Sequence, residues 1–387
     1  MSEFKLRRIP AARAALALLA SVAFAAGAAA QTSTGDPTAT PPAETSSKLS
    51  FHAYINQAYA KSDDHQIYGI PTDGTTNYAS LAVQFRYQMT PDDQVAVQFG
   101  HQRYGKSTLN SVTEDIALDW AFYQRRLNDD TSVKVGRVQL PLGIYNEVQD
   151  VGTVMPFYTA PLTVYIKTRT TKSIDGLLLS HSFGGKSAWS LDSEVYCGSW
   201  DRVEQSPGPG TVNVARAENA VGTQLWLNTP VSGVRFGAAA LTFQITNSLN
   251  QVKAKDRASV YLLSYDGTFD RFYTRAEYLH GQQPAKLAAR LATDKLEYFA
   301  YYGQVGYAIT PQLKVNLQGE HSSYDLNFGT GQTLIARDVA LGLAYSFNSN
   351  TVFKLEGHRN HSTQTENQPT GKMNNTNYGI ASLAVSF

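Results

Sequence analysis

One stretch of this sequence sets acids and bases around an apolar run: Glu147 and Asp150 come first, and Lys167, Arg169 and Lys172 follow. Carboxylates and cations facing each other across a narrow opening impose a transverse field that orients dipolar molecules. The run between them carries Ile144, Tyr145, Val148, Val151, Val154, Met155, Phe157, Tyr158, Leu162, Val164, Tyr165 and Ile166. A freely solvated loop has no use for so many apolar side chains, so the segment from Pro141 to Ser173 is expected to find shelter. The shelter is either the interior of its own domain or the surface of a neighbouring subunit.

Catalytic chemistry is not indicated. His52, His101, His280, His321 and His358 are scattered without a partner motif, and neither a nucleophile elbow nor an H-E-x-x-H pair occurs. No catalytic residue, metal ligand or cofactor site is therefore expected. The single cysteine, Cys197, shares the apolar phase of WSLDSEVYC with Trp189, Leu191 and Val195, which gives it a packing or lipid-facing role and leaves no internal disulfide. The 33 Lys and Arg nearly balance the 32 Asp and Glu, so there is no basic excess for nucleic acid.

The elements that must position these residues show a period of two. Lys5, Arg7, Arg8 and Arg13 precede an apolar, Ala-rich run to Ala30, which predicts a cleaved export signal over 1–30. Residues 31–48 are polar and Pro-rich and read as a disordered tether. From Leu49 on, apolar residues alternate with polar ones. Leu49, Phe51, Ala53 and Ile55 interleave with Ser50, His52, Tyr54 and Asn56, and Ala79, Leu81, Val83, Phe85 and Tyr87 with Ser80, Gln84, Arg86 and Gln88. No later apolar run approaches the ~20 residues a spanning helix needs.

Short turns recur at Thr90–Asp93, Asn128–Asp130, Gly184-Gly185, Thr229–Gly233, Asp266-Gly267, Thr310-Pro311 and Asn348–Asn350. Between them lie longer polar connections, such as Gln205–Gly210 and His361–Asn375. Alternating short and long connections with strands of about ten residues are the signature of a transmembrane barrel, and these turns imply about sixteen antiparallel strands over 49–387. Trp120, Phe122, Trp189, Phe299, Tyr301, Tyr307, Tyr345 and Phe347 are expected to face outward as an aromatic belt. Strand phase places Arg86, Arg125, Lys134, Arg235, Arg275, Lys314 and Lys354 on the inner wall, opposed by Asp119, Asp192, Glu194, Glu277, Glu320, Asp338 and Glu356. Of these, Arg86, Arg125, Arg275 and Glu277 are the wall candidates for a pore, and the signs balance.

Two segments carry a family resemblance. The last strand, YGIASLAVSF, ends on Phe387 and resembles the signal that barrel-assembly machinery reads on bacterial outer-membrane proteins. The stretch from Val135 to Thr170, with Gly136-Arg137 and Pro141-Leu142-Gly143, resembles the fifth strand and third loop of Gram-negative porins of the phosphate-selective type. The resemblance implies a sixteen-stranded outer-membrane barrel, a homotrimer amid lipid and lipopolysaccharide, with its third extracellular loop folded inward. It also implies passive diffusion of small hydrophilic solutes and ions. Because the wall charges balance, phosphate specificity does not follow from the resemblance, and the cluster Lys167, Arg169 and Lys172 favours mild anion preference at most. The alternatives left open are a specific channel for an anionic nutrient such as phosphate, and a barrel acting as receptor or adhesin through its loops.

Overall fold

The computed structural model describes residues 48–387 apart from 108, 114, 167–171, 185–186, 206–211, 248–252, 285–294, 326–332 and 367–371. The expected export signal, and all of the expected tether but Lys48, lie outside the described residues. The strands are β1 (Leu49–Ser62), β2 (Thr75–Gln88), β3 (Asp93–Tyr104), β4 (Ala117–Asn128), β5 (Thr131–Gln139), β6 (Ser173–Phe183), β7 (Ser190–Gln205) and β8 (Val212–Asn228). They continue with β9 (Val234–Asn247), β10 (Lys253–Phe269), β11 (Phe272–Pro284), β12 (Lys295–Ala308), β13 (Leu313–Asp325), β14 (Thr333–Asn348), β15 (Thr351–Ser362) and β16 (Asn374–Ser386). Two one-turn helices, α1 (Asn110–Thr113) and α2 (Leu162–Tyr165), lie in connections.

Each strand pairs antiparallel with its sequence neighbours, and β16 returns to β1 with Tyr54 opposite Ser386 and Ser62 opposite Tyr378. The chain end strengthens this seam, because the Phe387 amide donates to the Ala53 carbonyl at 2.9 Å. A closed ring leaves no unpaired edge along the barrel wall. The sixteen-stranded barrel read from the alternation is thus the observed fold.

Two local expectations need correction. The expected turn at Asp266-Gly267 lies inside β10; the chain reverses at Asp270-Arg271, where Asp270 takes a left-handed φ of 49°. Asp266 stays in the ladder because its inward carboxylate meets Arg235 at 3.0 Å and Arg275 at 3.0 Å. Trp120 and Phe122 do not face outward. A bulge between the pairs Gln98–Trp120 and Phe99–Leu118 shifts the phase of β4 at Asp119, so both rings turn inward and stack at 5.4 Å.

The outer face carries exposed apolar side chains on successive strands, among them Leu177, Leu179, Leu263, Leu317, Leu341 and Leu355. Trp189, Tyr301, Tyr307, Tyr345 and Phe347 stand on the same face. The inner face is of two kinds. On β13 to β16 it is polar, with Gln318, Glu320, Asp338, Glu356, His358, Asn360 and Thr376 all buried. On the part of β7 to β10 farther from the short turns it is apolar, with Trp200, Ala217, Ala220, Ala239, Leu241, Phe243, Ile245, Ala258 and Leu262 joined in one cluster.

Candidate functional site

The connection from β5 to β6 does not leave the barrel; it crosses the lumen. Its neck is closed by the Leu140 amide on the Lys172 carbonyl at 2.9 Å, and the Asn146 amide group donates to Leu140 O at 2.7 Å. The inward bend falls at Gly143, which has a φ of +69°. A Cβ there would lie 2.5 Å from a Glu277 oxygen, so the turn tolerates only glycine. The Gly143 amide donates to Gln224 Oε1 at 2.7 Å.

Beyond the bend the loop has few ladder partners, and each buried N–H then needs an acceptor from elsewhere. Three carboxylates on alternate strands supply them. Glu277 of β11 accepts from the Ile144 amide at 2.9 Å, from Ser264 Oγ at 2.6 Å, from Tyr302 OH at 2.7 Å, and from Tyr165 OH. Glu320 of β13 accepts from the Thr163 amide at 2.8 Å and its hydroxyl at 2.9 Å. Glu356 of β15 accepts from the Tyr158 amide at 2.9 Å. Lys354 completes the row by donating to Phe157 O at 3.0 Å. Hydrogen bonds to an ionised acceptor are about twice as strong as neutral ones, which suits a strap without a ladder of its own.

The other end of the strap is held by a different device. Asp150 accepts from Gln98 Nε2 at 3.0 Å and Gln102 Nε2 at 3.2 Å, both on β3, and is ion-paired with Lys172. Asp119 of β4 stands 3.9 Å from the same ammonium. Burial alone would lower the Lys172 pKa, but the two carboxylates outweigh it and hold the ammonium above its ordinary value. This corrects the expectation that Asp150 and Lys172 face each other across an opening: they neutralise one another inside the packing. Lys167 and Arg169 lie outside the described residues. Glu147 is the half-buried exception. Burial, and then the Glu194 carboxylate, push it up to about 7 against the pull of Lys134.

The remaining wall candidates divide. Arg86 is on the inward phase of β2 and exposed. Arg275 is inward on β11, bonded to Asp266 and at 3.0 Å to Tyr145 OH. Glu277 is inward but buried under the strap, so it is an anchor and does not line an open passage. Arg125 is on the outward phase of β4, beside Tyr123, where it pairs with Asp93 at 3.2 Å. The same bulge that turned Trp120 inward turned Arg125 outward, and it does not line the lumen. Inward residues near the short turns are Arg86, Lys134, Arg235, Arg275 and Lys314 against Asp192, Glu194 and Asp266.

The carboxylate anchors were not foreseen as a set. Their signal was available in part, since Glu320 and Asp338 stand directly opposite in register on one inward phase. Like charges so placed are costly unless each is consumed by a donor. Asp338 indeed meets His358 Nδ1 at 2.8 Å and Asn360 Nδ2 at 3.0 Å. His101, His280 and His321 are on outward phases, with His280 stacked on Phe299 and His321 on Tyr301.

No protein-family model matches this chain, and no curated protein does. Solved structures do share its fold. The outer membrane channel DcaP of Acinetobacter baumannii superposes with a TM-score of 0.59 at 11% identity, over 88% of this chain and 97% of that one. OmpF of Salmonella typhi, in complex with daunomycin, gives 0.57 at 14% identity over the same shares. The trimer form of OmpT from Vibrio cholerae gives 0.54 at 10% identity, over 88% and 99%. At these identities the likeness is one of architecture.

Proposed function

We propose that this chain is an outer-membrane porin, a barrel through which small hydrophilic solutes and ions diffuse passively, with mild preference for anions. The observation that carries the reading is the conjunction of an apolar outer face with a polar sector of lumen narrowed by an anchored strap. Apolar side chains exposed on strand after strand are stable only against lipid or protein. The inward charged groups that keep solvent access, Arg86, Lys134, Arg235, Arg275 and Lys314, can replace part of a solute's hydration. The anion preference is supported by the cations Arg86, Lys134, Arg235, Arg275 and Lys314, which outnumber the carboxylates named beside them on the turn side of the strap.

Solute specificity of the phosphate-selective kind is not favoured. It needs cations converging on one point, and Lys172 is spent on Asp150 and Asp119. Export through the leader, assembly through the strand ending in Phe387, residence amid lipid and lipopolysaccharide in a Gram-negative outer membrane, and a homotrimeric state complete the proposal. The trimer form of the Vibrio protein supports the last point. The test is single-channel conductance and reversal potential of the purified protein in a planar bilayer under a salt gradient. Steady channels with a reversal potential displaced toward anions are expected. Absence of conductance from protein that migrates as a folded barrel would favour the receptor or adhesin reading.

A further inference from the structure

The apolar sector of the lumen is not completely filled by the strap. Leu140, Leu142 and Val164 come in from the loop, and Trp200, Leu241, Phe243, Ala258, Val260 and Leu279 face them from the wall. Between the two surfaces remains a cavity of about 100 Å³, lined also by Tyr298, Tyr324 and Gln283. Trp200 and Phe243 pack at 4.9 Å, and Tyr298 and Tyr324 at 5.2 Å, so the cavity has aromatic pairs on two sides.

We propose that this cavity is a binding site for a solute carrying a single aromatic ring and one polar substituent. Three features favour that occupant. At about 100 Å³ the cavity is smaller than the roughly 150 Å³ apolar cavity that takes up benzene, so it holds at most one ring, with some yielding of its walls, and excludes a fused system. The aromatic pairs on two sides offer edges and faces to a planar ring in offset or T-shaped contact. The polar side chains of the lining are few, Ser259, Gln282, Gln283, Tyr298 and Tyr324, which suits a ring carrying one polar substituent and no more. A passage built only for ions would gain nothing from an inward apolar wall, since it leaves water against surface that cannot hydrate it.

The site does not depend on conduction, so it is tested by binding to the full chain in detergent. The probe is benzyl alcohol, followed by saturation-transfer NMR and by intrinsic tryptophan fluorescence, with glycerol as the polar control. Saturable binding of benzyl alcohol and none of glycerol is expected. Val260→Phe and, separately, Ala258→Leu should fill the cavity and weaken binding by at least about tenfold, the scale on which apolar pockets discriminate added groups. Both variants should keep heat-modifiable migration, which reports the folded barrel. Equal binding by the wild type and both folded variants would overturn the site. Binding without bilayer conductance would sink the porin reading and leave the site standing, whereas conductance without binding would do the reverse.

Discussion

The strap is held on its two sides by opposite physics. Toward β11, β13 and β15 it is fastened by directional bonds, each carboxylate taking a named amide: Glu277 with Ile144, Glu320 with Thr163, Glu356 with Tyr158. Toward β7–β10, apart from the one bond from the Gly143 amide to Gln224 of β8, it rests on non-directional contacts of Leu142 and Val164 with the apolar wall, and space is left over. A directional anchor fixes the position of a backbone to a fraction of an ångström, and its loss strands several polar groups at once. An apolar contact tolerates slippage and is lost one methylene at a time. The polar side thus sets where the strap lies, and the apolar side sets how well the remaining space is filled.

The two sides of the strap should differ most at Glu277. Glu277→Ala removes the acceptor of an amide and three hydroxyls, at roughly 1–3 kcal/mol for each buried donor left without a partner. The strap should detach on that side, with larger and noisier single-channel conductance and new protease cleavage between Gly143 and Tyr165 in the folded barrel. Unchanged current and no cleavage would show that the anchors are redundant. Leu142→Ala on the apolar side should cost about 2–4 kcal/mol of local packing. It should lower the temperature at which heat-modifiable migration is lost, while changing conductance less than Glu277→Ala does. The reverse ranking would mean that the apolar side, not the polar one, positions the loop.

A smaller effect concerns pH. Because burial and Glu194 raise Glu147 to about 7, it is neutral below that pH and anionic above it. Lowering pH from 8 to 6 removes a negative charge beside Lys134, so reversal potential should move toward anions, more at low salt where screening is weak. In Glu147→Gln this part of the pH response should vanish. The smallest effect separates inner from outer wall: Lys314→Gln should shift reversal potential slightly toward cations, and Arg125→Gln, on the outer face, should leave it unmoved.

Much of the architecture is legible because its signal is local. Alternation over a few residues reports which face is wet, and seven turn segments count the strands without reference to any contact. Legibility failed where a single residue changes phase. The bulge at Asp119 cannot be seen in DWAFYQRR, yet it reverses Trp120, Phe122 and Arg125 together. The loop's apolar content announced that it is sheltered, but not by what. That Asp150 and Lys172 would meet, rather than face each other, depends on how a strap of more than thirty residues lies across the lumen, which no spacing encodes. The two-sided apolar character of β9 is a hint in hindsight: Ala239, Leu241 and Phe243 face the lumen while the alternate Ala238 and Ala240 face outward, so this strand is apolar on both faces.

Whether the loop spans the lumen from wall to wall can be read by cross-linking its tip to β1. A Cβ at Gly152 would stand 3.0 Å from Asn56 Cγ, within reach of disulfide geometry once both are cysteine. In a Cys197→Ser background, which removes the only natural thiol, Gly152→Cys with Asn56→Cys should oxidise nearly completely in the folded barrel, and conductance should stay at its wild-type level. Failure of this pair to cross-link, while a control pair on adjacent strands does, would contradict the account and place the loop outside the lumen.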